Sequence, residues 1–241
     1  MAGTIKDYRK MVEEPWGKMF YEQVFRQLPV SDDKRLKILD FGAGFCITAG
    51  HCAGPHDVTA LEPNEEMYEQ RVEGGYTLVT QGVEYLSKVE DNSYDVVLCH
   101  NVLEYTDDKD RILKELVRVL KPGGSLSVIK HNLYGRVMAS AVLSDDPKTA
   151  LSLLCSDDAE NSMFGNRSVY DNEYLINFMA DEMDLEEIYG IRSFFGLSSN
   201  NEIKYSDDWF LPMLELENKA STIEEYRKVA FFNHLIFNKR G

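Results

Sequence analysis

The chain is expected to be an α/β protein built on a mostly parallel sheet with helices on both faces. Three observations predict this. Apolar strand-like runs alternate with helix-like segments from residue 36 to residue 132. The first run, LKILDFG, breaks into a turn with glycines at 42 and 44. The second run, DVTALEP, closes on a carboxylate, Glu62, 20 residues after Gly42.

Each element has its own reason. Residues 5–28 read as an amphipathic helix interrupted at Pro15-Trp16-Gly17. LKILDFG is apolar at Leu36, Ile38 and Leu39 and stops at Gly42, as a strand does. Phe45 to Ala53 follows as a short helix closed by Gly54-Pro55. DVTALEP (57–63) is the second strand, and Asn64 is placed to cap a helix reaching about Glu73. YTLVTQ (76–81) and SYDVVLCHN (93–101) are the third and fourth strands. Asp107 opens an amphipathic helix to Leu120, apolar at Ile112, Leu113, Leu116, Val119 and Leu120. Lys121-Pro122-Gly123-Gly124 stops it, and GSLSVIKHN (124–132) is the fifth strand.

The rhythm then changes. Residues 133–168 show no clear strand and read as helical, with a mobile stretch around CSDDAENSMFGN. Residues 171–182 and 207–228 read as helices; LEEIYGIRSFFG (185–196) and FFNHLIFNKR (231–240) read as strands. This gives one domain over 1–241: a helical cap at 1–30, a cofactor-binding core at 36–132, and insertions at 133–183 and 199–228 that shape an acceptor site.

With 44% hydrophobic residues the chain can bury a substantial core. No apolar run approaches the roughly 20 residues that span a bilayer. The opening MAGTIKDYRKMVEEPWG lacks the apolar stretch of a signal peptide, so a cytoplasmic location is expected, with no membrane partner. The four cysteines, Cys46, Cys52, Cys99 and Cys155, form no C-x-x-C pair and read as reduced thiols. His51, Cys52 and His56 are spaced around Pro55 without an obvious fourth ligand, so no metal site is expected. Net charge is −15, which works against capture of a polyanion.

The turn at 42–44 ends the first strand, where parallel sheets bind their ligands. Glycines there let backbone approach a ligand closely. Glu62 can accept hydrogen bonds from both hydroxyls of an adenosine ribose. A dinucleotide would add a pyrophosphate and favour a further glycine at position 47, where Ile47 stands. S-adenosylmethionine carries the same ribose without phosphate, and Asp40 is placed to help its ammonium, directly or by ordering the turn.

LDFGAG, Glu62 at the second strand end, YDVVLCHNVLEY and LKPGGSLSV together resemble the class I S-adenosylmethionine-dependent methyltransferases over residues 36–132. The resemblance implies a Rossmann-like fold with a seven-stranded sheet, a helical insertion after the fifth strand, and S-adenosylmethionine as cofactor. Its usual D-x-G-x-G-x-G is incomplete at Cys46. HNVLEY (100–105), KHNLYGRVM and LPMLELENKAS are similar to the tRNA 5-carboxymethoxyuridine methyltransferases. That match implies His100 at the cofactor and Gly82, Val83 and Glu84 beside the adenine. With Asp40, Gly42, Ala43, Gly44, Glu62 and Pro63 these make the expected cofactor set. The family's N-terminal arginine has no counterpart here; Lys18 and Phe20 stand nearby.

Methyl transfer from a sulfonium needs alignment first, and a base only when the nucleophile holds a proton. His100, His131 and Glu104 are candidates for a base, but no pattern pairs them, so no catalytic residue is assigned. Trp16, His131, Tyr134, Arg136 and Arg192 are the candidate acceptor-side residues, with Arg136 placed to pair with an anionic acceptor group. His234 reads as a structural strand residue. The acceptor is expected to be a tRNA or a small molecule, with no obligatory protein partner evident. Residues 133–241 hold 10 Lys and Arg against 19 Asp and Glu, a poor surface for capturing a polyanion, which brings the small molecule close behind the tRNA. Two other classes stay open: a non-catalytic cofactor-binding protein and an NAD-dependent oxidoreductase.

Overall fold

The computed structural model describes residues 4–31, 33–155, 160–162, 165–167 and 170–241. It opens with α1 (Ile5–Glu13) and α2 (Pro15–Gln27). Thr4 and Asp7 form a reciprocal capping box on α1. The break falls at Glu14, not across Pro15-Trp16-Gly17: Pro15 is the first residue of α2, where its missing N–H costs nothing.

The core alternates β1 (Lys37–Phe41), α3 (Ile47–Cys52), β2 (Asp57–Leu61), α4 (Glu65–Tyr68), β3 (Thr77–Val79), β4 (Tyr94–His100), α5 (Lys109–Val119) and β5 (Leu120–His131). All four neighbouring pairs among β3, β2, β1, β4 and β5 run parallel. After β5 come α6 (Leu133–Met138), a π-type turn at Ala139–Leu143, α7 (Pro147–Cys155), β6 (Glu160–Ser162) and β7 (Gly165–Arg167). The chain ends with α8 (Asn172–Met179), β8 (Met183–Ile191), α9 (Asp207–Ala220), α10 (Glu224–Arg227) and β9 (Phe232–Lys239). The main sheet has seven strands in the order β3-β2-β1-β4-β5-β9-β8.

The structure differs from the sequence reading elsewhere too, and the strand read at 185–196 runs over Met183–Ile191. The helix after Asn64 ends at Tyr68, and Asn64 makes no side-chain cap. The fifth strand begins at Leu120, because Lys121-Pro122-Gly123-Gly124 forms an irregularity between the Tyr94↔Leu120 and Val96↔Ser125 pairs, not a stop. The antiparallel β6–β7 hairpin lies where no strand was expected. The segment read as helical at 207–228 breaks at 221–223 into α9 and α10. Of the stretch read as mobile, residues 156–159 and 163–164 lie outside the described residues.

Where the sequence suggests one domain, the contacts group into two compact units. One comprises Met1–Gln27, Lys130–Asp171 and Ile188–His234; the other comprises Leu28–Ile129, Asn172–Glu187 and Leu235–Gly241. The first is centred on Met19, Phe195, Phe210 and Leu214, with Trp16, Trp209 and Met213 packed against them. The second buries both faces of its parallel strands, among them Ile38, Leu39, Val97, Leu98, Leu126 and Val128. Lys239 closes α5 there by donating to the Val117 and Leu120 carbonyls at 2.8 and 2.7 Å.

Candidate functional site

The glycine turn follows β1 in the second unit. Gly42 and Gly44 take left-handed angles, φ +73° and +55°, which favour glycine. A Cβ at Gly42 would also lie 2.4 Å from Val102 Cγ2. Protein packing therefore dictates this glycine, whatever the ligand. Val102 belongs to the HNVLEY motif, which the sequence showed without revealing this contact.

The turn's own donors are largely spent. Gly42 and Ala43 N–H both donate to the Leu61 carbonyl, at 2.9 and 2.8 Å. Gly44 N–H donates to Glu62 Oε2 at 2.7 Å, and Asn64 N–H to Glu62 Oε1 at 2.8 Å. Cys46 N–H donates to the Ala43 carbonyl at 2.8 Å. Ala49 N–H, in the first turn of α3, donates to the Asp40 carboxylate. Cys46, the N-cap residue of α3, offers no side-chain cap. Asp40 supplies the missing acceptor from the neighbouring strand.

What remains is a pair of buried carboxylates. Asp40 is 3% exposed and Glu62 5%. Burial pushes Asp40 up to about 7, and the nearby Glu62 charge adds to this against the Ala49 N–H. Burial likewise raises Glu62, opposed by the N–H groups of Asn64 and Gly44. Asp40 Oδ2 is buried with no hydrogen-bond partner among the described residues. Such a site gains from a cationic ligand group and gives little to a phosphate. An adenosyl ligand with an ammonium and a sulfonium fits it; a pyrophosphate does not.

The flanking expectations divide. Pro63 is exposed immediately after Glu62. Glu62 N–H donates to the Val79 carbonyl at 3.0 Å, tying the ends of β2 and β3 together. Gly82 N–H donates to Glu84 Oε1 at 2.8 Å, so Glu84 caps its own turn, and Val83 beside it is half-buried. His100 ends β4, its Nε2 2.8 Å from Ser127 Oγ on β5. Burial drives this imidazole down to about 3, so it is neutral at physiological pH and a poor proton acceptor. Glu104 is buried on the turn that follows.

The metal alternative finds other uses for its residues. His56 Nδ1 accepts the Leu36 N–H at 3.3 Å, and Cys52 is buried. Among the described residues no group of three or more His, Cys, Asp or Glu is placed to hold a metal ion. A cavity of about 360 Å³ lined by Leu28, Lys34, Leu36, Asp95, Lys121 and Gly124 lies at the opposite strand ends from the glycine turn.

In the first unit the acceptor-side candidates separate. Arg192 follows β8 with its guanidinium 5.1 Å from the Phe231 ring, 5.4 Å from Trp16, 5.7 Å from Phe195 and 6.0 Å from Phe232. Burial lowers it to about 10, which leaves it cationic. The His131 ring packs at a tilt 4.6 Å from Phe232, so Trp16, His131 and Arg192 share one aromatic cluster. Tyr134 is 59% exposed, and Arg136 lies inside α6, not at a strand end. Phe20, near the position of the family's arginine, is buried against Phe232, and Lys18 lies over Phe210. His234 is fully buried beside Gln27 Oε1 at 2.9 Å. No helix among the described residues is long and apolar enough to cross a membrane.

Comparison with known proteins points to the same elements. Residues 39–128 match the family model described as a methyltransferase domain. The chain is 30% identical over 105 residues to a human thiol S-methyltransferase, TMT1A, covering 40% of this chain and 43% of that protein. It is 26% identical over 133 residues to the tRNA 5-carboxymethoxyuridine methyltransferase of Escherichia coli K12, covering 52% and 51%. The chain thus spans about half the length of the relatives it matches. The plantazolicin methyltransferase BpumL, solved with SAH, superposes with a TM-score of 0.59 at 16% identity over 98% of this chain and 89% of that one. Residues 39–128 thus match a methyltransferase domain, and the chain shares the Rossmann-like fold of solved methyltransferases.

Proposed function

We propose that the protein transfers a methyl group from S-adenosylmethionine to an oxygen or nitrogen nucleophile on an acceptor that carries an anionic group. The observation that supports the donor is the pair of buried carboxylates, Asp40 and Glu62, beside a turn whose N–H groups are already satisfied. When bound, S-adenosylmethionine supplies a methyl group already activated by its positive sulfur. Glu62 would hold the ribose hydroxyls while keeping Gly44 in place. Asp40 Oδ2 would take the ammonium, and Gly42 to Gly44 would line the approach. Gly82 to Glu84 would flank the adenine.

Arg192 supports the anionic acceptor. It is a cation fixed among four rings, with Nε buried and unpartnered among the described residues. A carboxylate acceptor is already ionised at neutral pH and asks for no base. That agrees with the weak basicity of His100. A modified tRNA uridine bearing a carboxylate is the first reading of the acceptor, and a small carboxylic acid the second. The charge of residues 133–241, 10 basic against 19 acidic, favours the second.

Calorimetry with S-adenosylhomocysteine and NADH tests the donor; tighter binding of NADH overturns it. Labelled S-adenosylmethionine, offered with total tRNA and with a metabolite extract in parallel, tests the rest. Label in either fraction identifies the acceptor class. Protein that binds S-adenosylhomocysteine and labels neither fraction overturns the catalytic reading.

A further inference from the structure

We propose that Glu217 is the residue that positions Arg192, and so sets the affinity of the acceptor-side anion site. This rests on the reading of Arg192 given above. Glu217 belongs to the LELE run of α9 and is fully buried. Its carboxylate touches no substrate candidate. Oε2 accepts the Ser193 N–H at 2.7 Å, while Oε1 accepts the N–H groups of Phe194 at 2.9 Å and Phe195 at 2.7 Å. Three consecutive backbone donors thus converge on one carboxylate, immediately after Arg192.

Two constraints on Arg192 follow. Its backbone sits at φ +61°, a left-handed value that a non-glycine residue holds only when its surroundings over-determine it. The surroundings here are the Glu217 clamp on the C-terminal side and Gln23 Oε1, which accepts the Arg192 N–H at 3.0 Å. That backbone geometry places the guanidinium among Trp16, Phe195, Phe231 and Phe232. Phe195 is itself bonded to Glu217, so the same carboxylate fixes one wall of the aromatic cluster. Glu217 also supplies the countercharge that favours the cationic form of Arg192 against burial. The carboxylate stays at a distance that leaves the guanidinium without an ion pair among the described residues. Lys204, over the Phe195 ring at 4.9 Å, is occupied by the Ser198 carbonyl and Asn201 Oδ1.

Substituting Glu217→Gln tests this. The amide keeps one acceptor oxygen but turns an NH₂ toward the Ser193 N–H, which breaks the clamp with little change in volume. The chain has only two tryptophans, Trp16 and Trp209, and both pack on this cluster, so their fluorescence reads it directly. Full-length wild type, E217Q and R192Q are titrated with acetate and with inorganic phosphate. S-adenosylhomocysteine affinity is measured alongside.

Saturable quenching in wild type, lost in R192Q and at least about fivefold weaker in E217Q with unchanged S-adenosylhomocysteine affinity, supports the proposal. Equal anion affinity in E217Q overturns it. Absence of anion binding in wild type, or binding that survives in R192Q, removes the Arg192 reading instead. The Arg192 Nε–H resonance then decides the positioning role by itself. It should be shifted by the ring currents in wild type and return toward free arginine in E217Q; no movement overturns the proposal. Should E217Q not fold, E217D keeps the charge and shortens the reach. A folded E217D with an unmoved Arg192 resonance also overturns it.

Discussion

Replacing Asp40 by Asn isolates the electrostatics of the glycine turn. The substitution keeps an oxygen for the Ala49 N–H and removes the ionisable group. In the folded protein burial holds this carboxyl at about 7, against an ordinary 3.8. The folded state therefore binds more protons than the unfolded state between these values. Stability of the ligand-free protein is unaffected by this group below about pH 4 and falls as pH rises toward 7. At about 1.36 kcal/mol per pKa unit, the full penalty is roughly 4 kcal/mol. Asp40→Asn removes it. By urea denaturation, wild type and D40N should lie within about 1 kcal/mol of each other near pH 4.5. Near pH 8, D40N should be the more stable by roughly 2–4 kcal/mol. S-adenosylhomocysteine, whose ammonium would pair with Asp40, should bind wild type near pH 7 with release of up to about half a proton. Calorimetric enthalpies in buffers of different ionisation heat would show it, and D40N should bind more weakly without that release. A stability difference that does not change with pH would refute the argument, because Asp40 would then be ionised throughout.

Three further outcomes follow from the same geometry. Gly42→Ala meets Val102 at 2.4 Å and a φ of +73°, and should lose roughly 2–4 kcal/mol in denaturant unfolding. Adding Val102→Ala should restore the steric part only. Glu62→Ala releases the N–H groups of Gly44 and Asn64 and should cost roughly 2–3 kcal/mol of stability. It should also weaken S-adenosylhomocysteine by roughly 1.5–3 kcal/mol in calorimetry, and an unchanged affinity would remove the ribose assignment. His100, held near 3, should show no ring titration by NMR above about pH 5. Stability due to this ring is complete above 6.5 and is lost as pH falls toward 3, a slope His100→Asn should flatten.

The sequence made the sheet core readable because a buried parallel strand is a short apolar run, and each run here ends at a glycine or polar residue. Asp40, Gly42 and Glu62 were visible as a spacing for the same reason. Their partners were not. That Asp40 caps α3 depends on Cys46 being unable to, and that Gly42 is needed depends on Val102, 60 residues away. The Arg192 cluster draws rings from positions 16, 195, 231 and 232, and no periodicity links them. Glu217 lies in a helix rich in acidic residues, so only its burial separates it from solvated neighbours such as Glu215. The β6–β7 hairpin has three-residue strands, too short for an alternation to register.

Cys46 is the residue the family pattern leaves unexplained, and the structure turns it into a test. It stands where the third glycine is usual, at φ +54°, with its side chain fully buried and Sγ 3.8 Å from the Gly44 carbonyl oxygen. Burial raises the thiol to about 11, so it is neither a nucleophile nor a ligand at neutral pH. Two effects oppose each other at this position. A non-glycine residue in a left-handed conformation costs roughly 1 kcal/mol, and burying the side chain returns about 1–2 kcal/mol. Cys46→Gly relieves the first and loses the second, so its stability should fall by no more than about 1 kcal/mol. Cys46→Ala loses most of the burial and keeps the strain. Glycine should therefore exceed alanine by roughly 1 kcal/mol in denaturant unfolding, the reverse of their order within a helix. S-adenosylhomocysteine affinity should be the same in both variants, since the turn's donors and Glu62 are untouched. Alanine more stable than glycine would show that backbone strain is absent at 46. A large loss of affinity in both would show that the thiol itself meets the ligand.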